Sequence, residues 1–275
     1  MAFSEPLIIA SAPNGARKTK ADHPAIPIAP DELSREAAKC ADAGASLLHL
    51  HVRDRSGGHS LDADAYRAAT AAVRRTVGQR MIVQITTEAV GVFSPAQQMA
   101  CVRAVKPEAV SIAVREMIPD AAHEADAASF LAWAAAERIM VQHICHEPKD
   151  LQRLHDLRQR GVVPGARISV LYVLGRYTDR AGGTPEALIP YVEAGGTSSD
   201  LIWSMCAFGP REAACALACA ALGGHARVGF ENNVALADGS IAADNAALVA
   251  QLAANARAID RSIAHADAAR ALFSS

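Results

Sequence analysis

Short runs rich in β-branched residues alternate with alanine-rich helical segments along the chain. Eight runs predict strands: Leu7–Ala12, Leu47–His51, Met81–Thr86, Ala109–Val114, Met140–Ile144, Arg167–Val173, Leu201–Met205 and Ala226–Phe230. The segments between them predict helices: Pro30–Ala43, Ala63–Val77, Pro95–Val105, Asp126–Glu137, Asp150–Arg158, Thr184–Ala194 and Arg211–Leu222. Strands that alternate with helices in this way form a parallel sheet, either closed into a barrel or left open.

The number of strands favours the closed form. Eight strand–helix units in 275 residues is the count of a (β/α)8 TIM barrel. The alternative is an open doubly wound sheet, whose dinucleotide-binding version carries G-x-G-x-x-G after its first strand. Here Pro13-Asn14-Gly15-Ala16 stands at that place. We therefore predict the α/β class, with a single TIM-barrel domain over residues 1–275 and a C-terminal helical extension over residues 242–271.

Charge and cysteine content exclude several classes of protein. The formal net charge is −2 and the basic residues are scattered, which argues against a nucleic-acid or anionic-membrane partner. Six cysteines without a C-x-x-C pair indicate reduced thiols. The apolar run near the start lacks a basic lead and predicts a first strand rather than a signal peptide. No run reaches the roughly 20 apolar residues of a membrane span, so we expect a cytoplasmic protein.

Two histidines lie in the most hydrophobic predicted strand, in the segment LLHLHVRDR. His49 and His51 are two residues apart, so their side chains point to the same side of the strand. They either share a ligand or are two separately satisfied core histidines. The segment VQHICHEP carries a second pair, His143 and His146, for which the sequence offers no third ligand.

The eighth predicted strand supplies a carboxylate near the first histidine pair. In GGHARVGFENN, alternation places His225 and Arg227 on the inner side, which continues to Glu231 at the carboxyl end. Even-numbered barrel strands feed the same interior layers, and strands 2 and 8 lie about 9–10 Å apart. A metal with bonds of about 2.0–2.2 Å could bridge them, and two histidines with one carboxylate form a catalytic zinc arrangement. The alternative is that Glu231 caps the following loop or pairs with Arg227.

These motifs resemble the β-keto acid cleavage enzymes, whose founding member acts on 3-keto-5-aminohexanoate. The similar stretches are PLIIASAPNGARKTKADHPAIPIAPDEL, GASLLHLHVRD, MIVQITTEA and ALGGHARVGFENNVALADGSIAADNAALV. The resemblance implies a (β/α)8 barrel, zinc at His49, His51 and Glu231, and a homo-oligomer, which we expect to be a homotetramer. It also implies a reaction in which a β-keto acid and acetyl-CoA exchange carbon units to give acetoacetate and a new acyl-CoA. No covalent nucleophile is needed, consistent with the absence of a G-x-S-x-G motif.

The chain departs from the founding enzymes at the proposed base. Those enzymes have an aspartate after the zinc-binding glutamate, which works with an arginine that matches Arg227. Here the position is Asn232, and an amide cannot accept a proton at neutral pH. Asp54 and Glu116 are the candidate bases, with a salt-bridging loop carboxylate as the alternative role for each. Asn232 becomes a candidate substrate-binding residue.

The substrate pocket also departs from the family. A glutamate that holds the founding substrate's ammonium group aligns with Arg17, which inverts the charge and favours a carboxylate or a neutral tail. The alternatives are that Arg17 contacts a CoA phosphate or lies exposed. Thr86 keeps a hydroxyl that can bind the substrate carboxylate, while Glu88 replaces a glycine and Arg115 joins Glu116 where the founding enzymes are small and polar.

Three functions are compatible with these sequence features. The first is a zinc-dependent β-keto acid cleavage enzyme that uses acetyl-CoA on a substrate other than the amino-hexanoate. The second is a metal-dependent aldolase or hydrolase that acts through a zinc-bound enolate without CoA, because the family's aspartate is missing. The third is a non-catalytic, zinc-holding protein that binds small acids.

Overall fold

A closed parallel barrel forms the centre of the molecule, in a computed structural model that describes residues 5–177 and 182–273. Its closed strand order is β1-β10-β9-β8-β7-β6-β5-β2, while β3 and β4 form a separate antiparallel hairpin. The strands are β1 (Ile9–Ser11), β2 (Leu47–Leu50), β3 (Val52–Arg53), β4 (His59–Ser60), β5 (Ile82–Thr86), β6 (Ala109–Ala113), β7 (Met140–Cys145), β8 (Ile168–Leu174), β9 (Leu201–Ala207) and β10 (His225–Val228). The predicted TIM barrel is confirmed.

Helices follow the barrel strands and pack their apolar faces against them. They are α1 (Pro30–Ala43), α2 (Ala63–Val77), α3 (Pro95–Val105), α4 (Val114–Met117), α5 (Glu124–Ala136), α6 (Pro148–Gln159), α7 (Ile189–Glu193), α8 (Glu212–Ala221), α9 (Asn245–Ala258) and α10 (Ala266–Phe273). The predicted bounds of α1, α2 and α3 are confirmed, because proline or a capping side chain marks where each begins. Within the described residues, no helix combines the length and apolar character needed to cross a bilayer.

Two helical predictions were wrong. The segment 184–194 is a 3-10 turn (Pro185–Leu188) followed by the short α7, because Pro190 has no N–H to continue a helical ladder. The predicted tail over 242–271 is two helices, α9 and α10. Between them the backbone leaves the helix at Asp260, which has φ +59°.

The segment between α9 and α10 covers the end of the barrel where the strands begin. The backbone near Ile263 pairs with the start of β1, where Leu7 N donates to Ser262 O at 2.7 Å. Helix α10 then lies across the opening. Apolar residues at the start of three strands, or just before β1, pack there against the tail, in a buried cluster of Ile8, Leu47, Ile82, Ala109, Ala264 and Ala269. The C-terminal extension therefore serves as a plug at the end opposite the histidine pair.

A layer of hydrogen-bonded polar side chains crosses the barrel interior. Gln84 Nε2 donates to Gln142 Oε1 at 3.3 Å, and Gln142 Nε2 donates to the hydroxyls of Ser169 (3.2 Å) and Ser204 (3.4 Å). Buried amides and hydroxyls that satisfy one another in this way hold a single arrangement. The layer forms a rigid floor beneath the carboxyl ends of the strands, where barrel enzymes place their chemistry.

Candidate active site

Three buried side chains converge at the carboxyl end of the barrel. His49 Nε2 lies 3.1 Å from His51 Nε2, and Glu231 Oε2 lies 3.5 Å from the first nitrogen and 3.4 Å from the second. The histidines come from β2 and the residue that follows it, and the glutamate comes from the loop after β10. Strands β2 and β10 flank β1, so barrel closure brings their ends together.

The end of β10 reaches Glu231 through a glycine that a larger residue could not replace. At Gly229 the backbone has φ +146°, and an added Cβ would lie 2.4 Å from Ala12 O. This close approach lets Glu231 N donate to the same carbonyl at 3.0 Å. The loop after β1 is held by the arginine of the H-x-H-x-R motif, since Arg53 donates to Gly15 O (2.6 Å) and Lys18 O (2.8 Å).

The three donors fit a divalent metal ion. Among the described residues they are the group of histidine and acidic side chains placed to hold one. Their separations match the face of a tetrahedron with bonds of about 2.0–2.1 Å, whose edges would be about 3.3 Å. Glu231 Oε2 is buried without a hydrogen-bond partner among the described residues. A buried carboxylate oxygen without such a partner is expected where it binds a metal ion.

Electrostatics keep the ligands in the protonation states that metal binding needs. Burial, aided by the Arg227 charge, lowers the pKa of His49 to about 3, so the imidazole is neutral. Burial alone would raise the pKa of Glu231, but the Arg227 guanidinium and the two imidazoles hold it well below its usual range. The carboxylate is therefore ionised.

Each ligand is oriented by a further contact. His49 Nδ1 lies 2.8 Å from Gln84 Oε1, while Glu231 Oε1 accepts from Arg227 Nη2 at 3.0 Å. Glu231 thus pairs with Arg227 through one oxygen, as one interpretation of the sequence expected, and faces the histidines with the other oxygen, which could bind a metal. His51 Nδ1 has no hydrogen-bond partner among the described residues, and Glu88 Oε2 lies 3.9 Å from it.

A cavity of about 300 Å³ opens above the three ligands. Its walls are strongly charged. The lining side chains include four arginines, three glutamates and an apolar patch: Arg17, Arg115, Arg176, Arg227, Glu88, Glu116, Glu231, Ile144, Val173 and Phe208. Thr86 lines it as well, and its hydroxyl oxygen accepts from Glu88 N at 3.1 Å. The cavity suits a small molecule with several oxygen atoms.

The structure separates the two candidate bases. Glu116 lines the cavity, where it accepts from Ala89 N at 2.9 Å, and burial raises the pKa of its carboxyl group. Asp54 lies in the exposed β3–β4 turn and accepts from Ser56 N (2.8 Å) and Gly58 N (2.9 Å). Asp54 does not line the cavity, and its contacts are those of a turn-capping carboxylate.

The predicted substrate-binding residues Arg17 and Asn232 lie in different surroundings. Arg17 is exposed at the cavity mouth, with its guanidinium 5.2 Å from the ring centre of Tyr177. Asn232 is buried with neither amide atom paired among the described residues, but it does not line the cavity.

The other predicted histidines lie outside the cluster of three. His225 faces inward at the opposite end of the barrel and accepts from Ile8 N at 3.1 Å. His146 lines the cavity while His143 lies in a separate pocket, so that pair shares no site.

Tyr177 and Glu88 are among the cavity residues that the sequence did not identify as functional. Tyr177 follows β8 in a glycine-rich loop, and no pattern marks it as functional. Glu88 was noted only for its effect on loop shape, yet its carboxyl group is in the cavity, where burial raises its pKa. The one available signal was its position directly after a strand end.

Comparisons with known proteins place the chain in a family. A sequence model described as beta-keto acid cleavage enzyme matches residues 6–274. The 3-oxoadipate:acetyl-CoA acetyltransferase of Cupriavidus necator is 28% identical over 280 residues, which cover 98% of this chain and 95% of that protein. The 3-keto-5-aminohexanoate cleavage enzyme of Fusobacterium nucleatum is 28% identical over 290 residues, covering 98% of each.

A solved structure shares the fold. The ternary complex of ObcA with C4-CoA adduct and oxalate aligns with a TM-score of 0.75 at 18% identity, over 92% of this chain and 68% of that one. The family predicted from the H-x-H-x-R and GGH-x-R-x-G-x-E motifs is confirmed. The chain belongs to the beta-keto acid cleavage enzyme family, a family of acyl-transferring enzymes that cleave a carbon–carbon bond.

Proposed function

We propose that this chain is a zinc-dependent enzyme that condenses a β-keto acid with acetyl-CoA and releases acetoacetate and a new acyl-CoA. The observation that carries the proposal is the triangle of His49, His51 and Glu231 at the floor of the charged cavity. A zinc ion held there would act as a Lewis acid that polarises a substrate carbonyl. The name of the Cupriavidus necator relative, 3-oxoadipate:acetyl-CoA acetyltransferase, supports acetyl-CoA as the co-substrate.

The chain's own residues supply the other roles. Arg227 holds Glu231 and has Nε and Nη1 free of partners among the described residues, so it can donate to substrate oxygens. Thr86 lines the cavity and is proposed to bind the substrate through its hydroxyl, whereas Asn232 lies outside the lining and is given no contact with the substrate. Glu116 is proposed to remove the proton from the carbon between the two carbonyl groups, because a buried carboxyl group with a raised pKa is a better base near neutral pH.

A turnover screen tests this function. Purified protein is incubated with acetyl-CoA and a panel of β-keto acids, and acetoacetate is measured; we expect it with at least one acid. Cleavage of β-keto acids without any CoA thioester would instead identify an aldolase or hydrolase. Binding without turnover would identify a zinc-holding binding protein.

The base is tested by a pair of variants. Glu116→Gln should lower kcat by about 10²–10⁴-fold, the usual contribution of general acid–base catalysis, whereas Asp54→Asn serves as the matched control and should stay near wild type. If Asp54→Asn were the inactive variant, the assignment of Glu116 would be wrong. The same loss in Glu88→Gln alone would move the role to Glu88.

We further propose that Arg17 contacts the far end of the substrate and selects an anionic or neutral group there. Its place at the cavity mouth supports this, as does the excess of arginine over glutamate in the lining. A bond from a guanidinium to a carboxylate is worth about 1.5–3 kcal/mol, and an ammonium group would lose it and be repelled. A preference of roughly two powers of ten in kcat/KM follows.

Matched β-keto acids with carboxylate, methyl and ammonium ends test this preference. Wild type should prefer the first two, Arg17→Glu should reverse the order, and Arg17→Lys is the charge-conserving control. An unchanged ranking in Arg17→Glu would show that another group recognises the far end.

We also propose a cytoplasmic homotetramer. All six cysteines are buried and unpaired, which is the thiol state of a reducing compartment. The subunit mass of 28.8 kDa predicts an assembly of about 115 kDa by light scattering. A measured mass of one subunit at micromolar concentration would refute the tetramer.

A further inference from the structure

Tyr177 lines the cavity and lies beside the loop that follows β1. Its ring packs against Phe208, with ring centres 4.4 Å apart, and carries the Arg17 guanidinium on its face at 5.2 Å. A Cβ added at Gly15 would lie 3.0 Å from the Tyr177 hydroxyl oxygen and 2.5 Å from Glu231 Cγ. The hydroxyl therefore points into the cavity beside a member of the proposed metal site.

The hydroxyl of Tyr177 is buried, yet it has no hydrogen-bond partner among the described residues. The other three tyrosines of the chain are all paired. Their hydroxyls donate to main-chain carbonyls, at distances of 2.7–3.1 Å: Tyr66 to Thr86, Tyr172 to Gly196 and Tyr191 to Cys145. Buried polar groups without a partner are rare and costly in folded proteins. Tyr177 thus differs from the other three tyrosines, because its hydroxyl forms no hydrogen bond with a described residue.

The chemistry of the site indicates which kind of group the Tyr177 hydroxyl can bind. The ordinary pKa of a phenol is about 10 and burial disfavours its charged form, so the Tyr177 hydroxyl keeps its proton at neutral pH. Two Arg227 nitrogens, Nε and Nη1, are buried and unpaired in the same cavity. The cavity therefore presents a set of unsatisfied donors, and a substrate oxygen is the acceptor that such a set binds.

We infer that Tyr177 is a catalytic residue whose phenol O–H donates a hydrogen bond to a carbonyl oxygen of the bound β-keto acid or thioester, and stabilises the negative charge that develops on that oxygen. This inference rests on the proposed function. The proton stays on the phenol, and no bond forms or breaks at Tyr177. The interaction is stronger in the transition state than in the ground state, because the oxygen carries more charge there.

Tyr177→Phe tests the inference, since it removes the oxygen and keeps the ring against Phe208. We expect kcat with acetyl-CoA and the best β-keto acid to fall about 10²-fold, the typical cost of one lost oxyanion donor. The affinity for acetoacetate, measured by calorimetry, should fall by only about tenfold. Zinc content should be unchanged, and the melting temperature should rise by about 2 °C, because an unpaired buried hydroxyl is removed.

Tyr191→Phe is the matched control. Its hydroxyl donates to Cys145 O outside the cavity, so its removal should lower the melting temperature while turnover stays within about twofold of wild type.

Two results would overturn the inference: Tyr177→Phe with wild-type kcat and acetoacetate affinity, or a wild-type protein that does not bind acetoacetate. Failure of the proposed function is a separate result, because it appears as a lack of acetoacetate production by wild type. Acetoacetate binding can still be compared between wild type and Tyr177→Phe in that case.

Discussion

Gln84 Oε1 lies 2.8 Å from His49 Nδ1, and this contact determines which nitrogen of His49 faces Glu231. The amide nitrogen of Gln84 is engaged with Gln142, so its oxygen is the atom that faces the ring. The ring must then carry its proton on Nδ1. Its Nε2 lone pair faces the space between His51 and Glu231, where a metal ion could bind. A second contact that sets the tautomer of a histidine in this way is typical of metal sites.

The first prediction follows from this contact. Gln84→Leu should weaken zinc binding about 10–100-fold, because the His49 ring loses the acceptor that orients it. Zinc affinity is measured by competition with a chromophoric chelator. The control is Ser169→Ala, which removes a hydrogen bond of the polar layer at Gln142 but leaves both contacts of Gln84, and should change affinity by less than about threefold. Equal affinities in Gln84→Leu and wild type would contradict the assigned tautomer.

The second prediction concerns the metal ligands. Wild-type protein purified without chelator should contain about one equivalent of zinc per chain by elemental analysis. His49→Ala and Glu231→Gln should each lose it and remain folded by circular dichroism, since the site lies at the barrel mouth rather than in the apolar core. His155→Ala is the control and should retain the metal. Less than about a tenth of an equivalent in wild type would refute the site.

The third prediction concerns Gly15, which has φ +61° and lies against Glu231. In Gly15→Ala the new Cβ would lie 2.5 Å from Glu231 Cγ, so the ligand must move and zinc affinity should fall by at least tenfold. Gly57→Ala is a matched control, because Gly57 also has a positive φ (+84°) but no atom within 4 Å of its added Cβ. It should show the backbone strain alone, as a lower melting temperature with normal zinc affinity.

The fourth prediction concerns pH and stability. Burial raises the pKa of Glu212 to about 8, with Asn233, Gly229 N and Lys18 opposing the shift. The folded state holds this proton more tightly than the unfolded state does, whose pKa is near 4.5. Its stabilising contribution is therefore complete below about pH 4.5 and is lost as the pH rises towards 8.

Each pKa unit corresponds to about 1.4 kcal/mol, so a loss of a few kcal/mol is expected across this range. Urea unfolding of wild type and Glu212→Gln at pH 5, 6.5 and 8 measures it. The free energy of unfolding should change less with pH in Glu212→Gln than in wild type. In the control Glu186→Gln, at an exposed position, it should change with pH as it does in wild type. Parallel curves for wild type and Glu212→Gln would mean that Glu212 is ionised throughout.

The sequence by itself determined the barrel and the three metal-ligand candidates. Alternating strand and helix patterns leave few architectures, and the eightfold count selects one of them. The spacing of His49 and His51 places both on one side of a strand, whatever surrounds it. The helices α1, α2 and α3 begin where predicted because proline and capping residues act within one turn.

Tertiary structure alone decided the rest of the cavity. Asp54 and Glu116 look equivalent in the sequence, but Asp54 caps its own turn while Glu116 is drawn into the cavity by the main chain at Ala89. The tail could not be divided by helical periodicity, since the break near Ile263 exists only because Leu7 lies beside it. Tyr177 and Glu231 both lie beside Gly15 because the barrel closes. Contacts between residues distant in sequence depend on the path of the backbone through space, which local patterns do not encode.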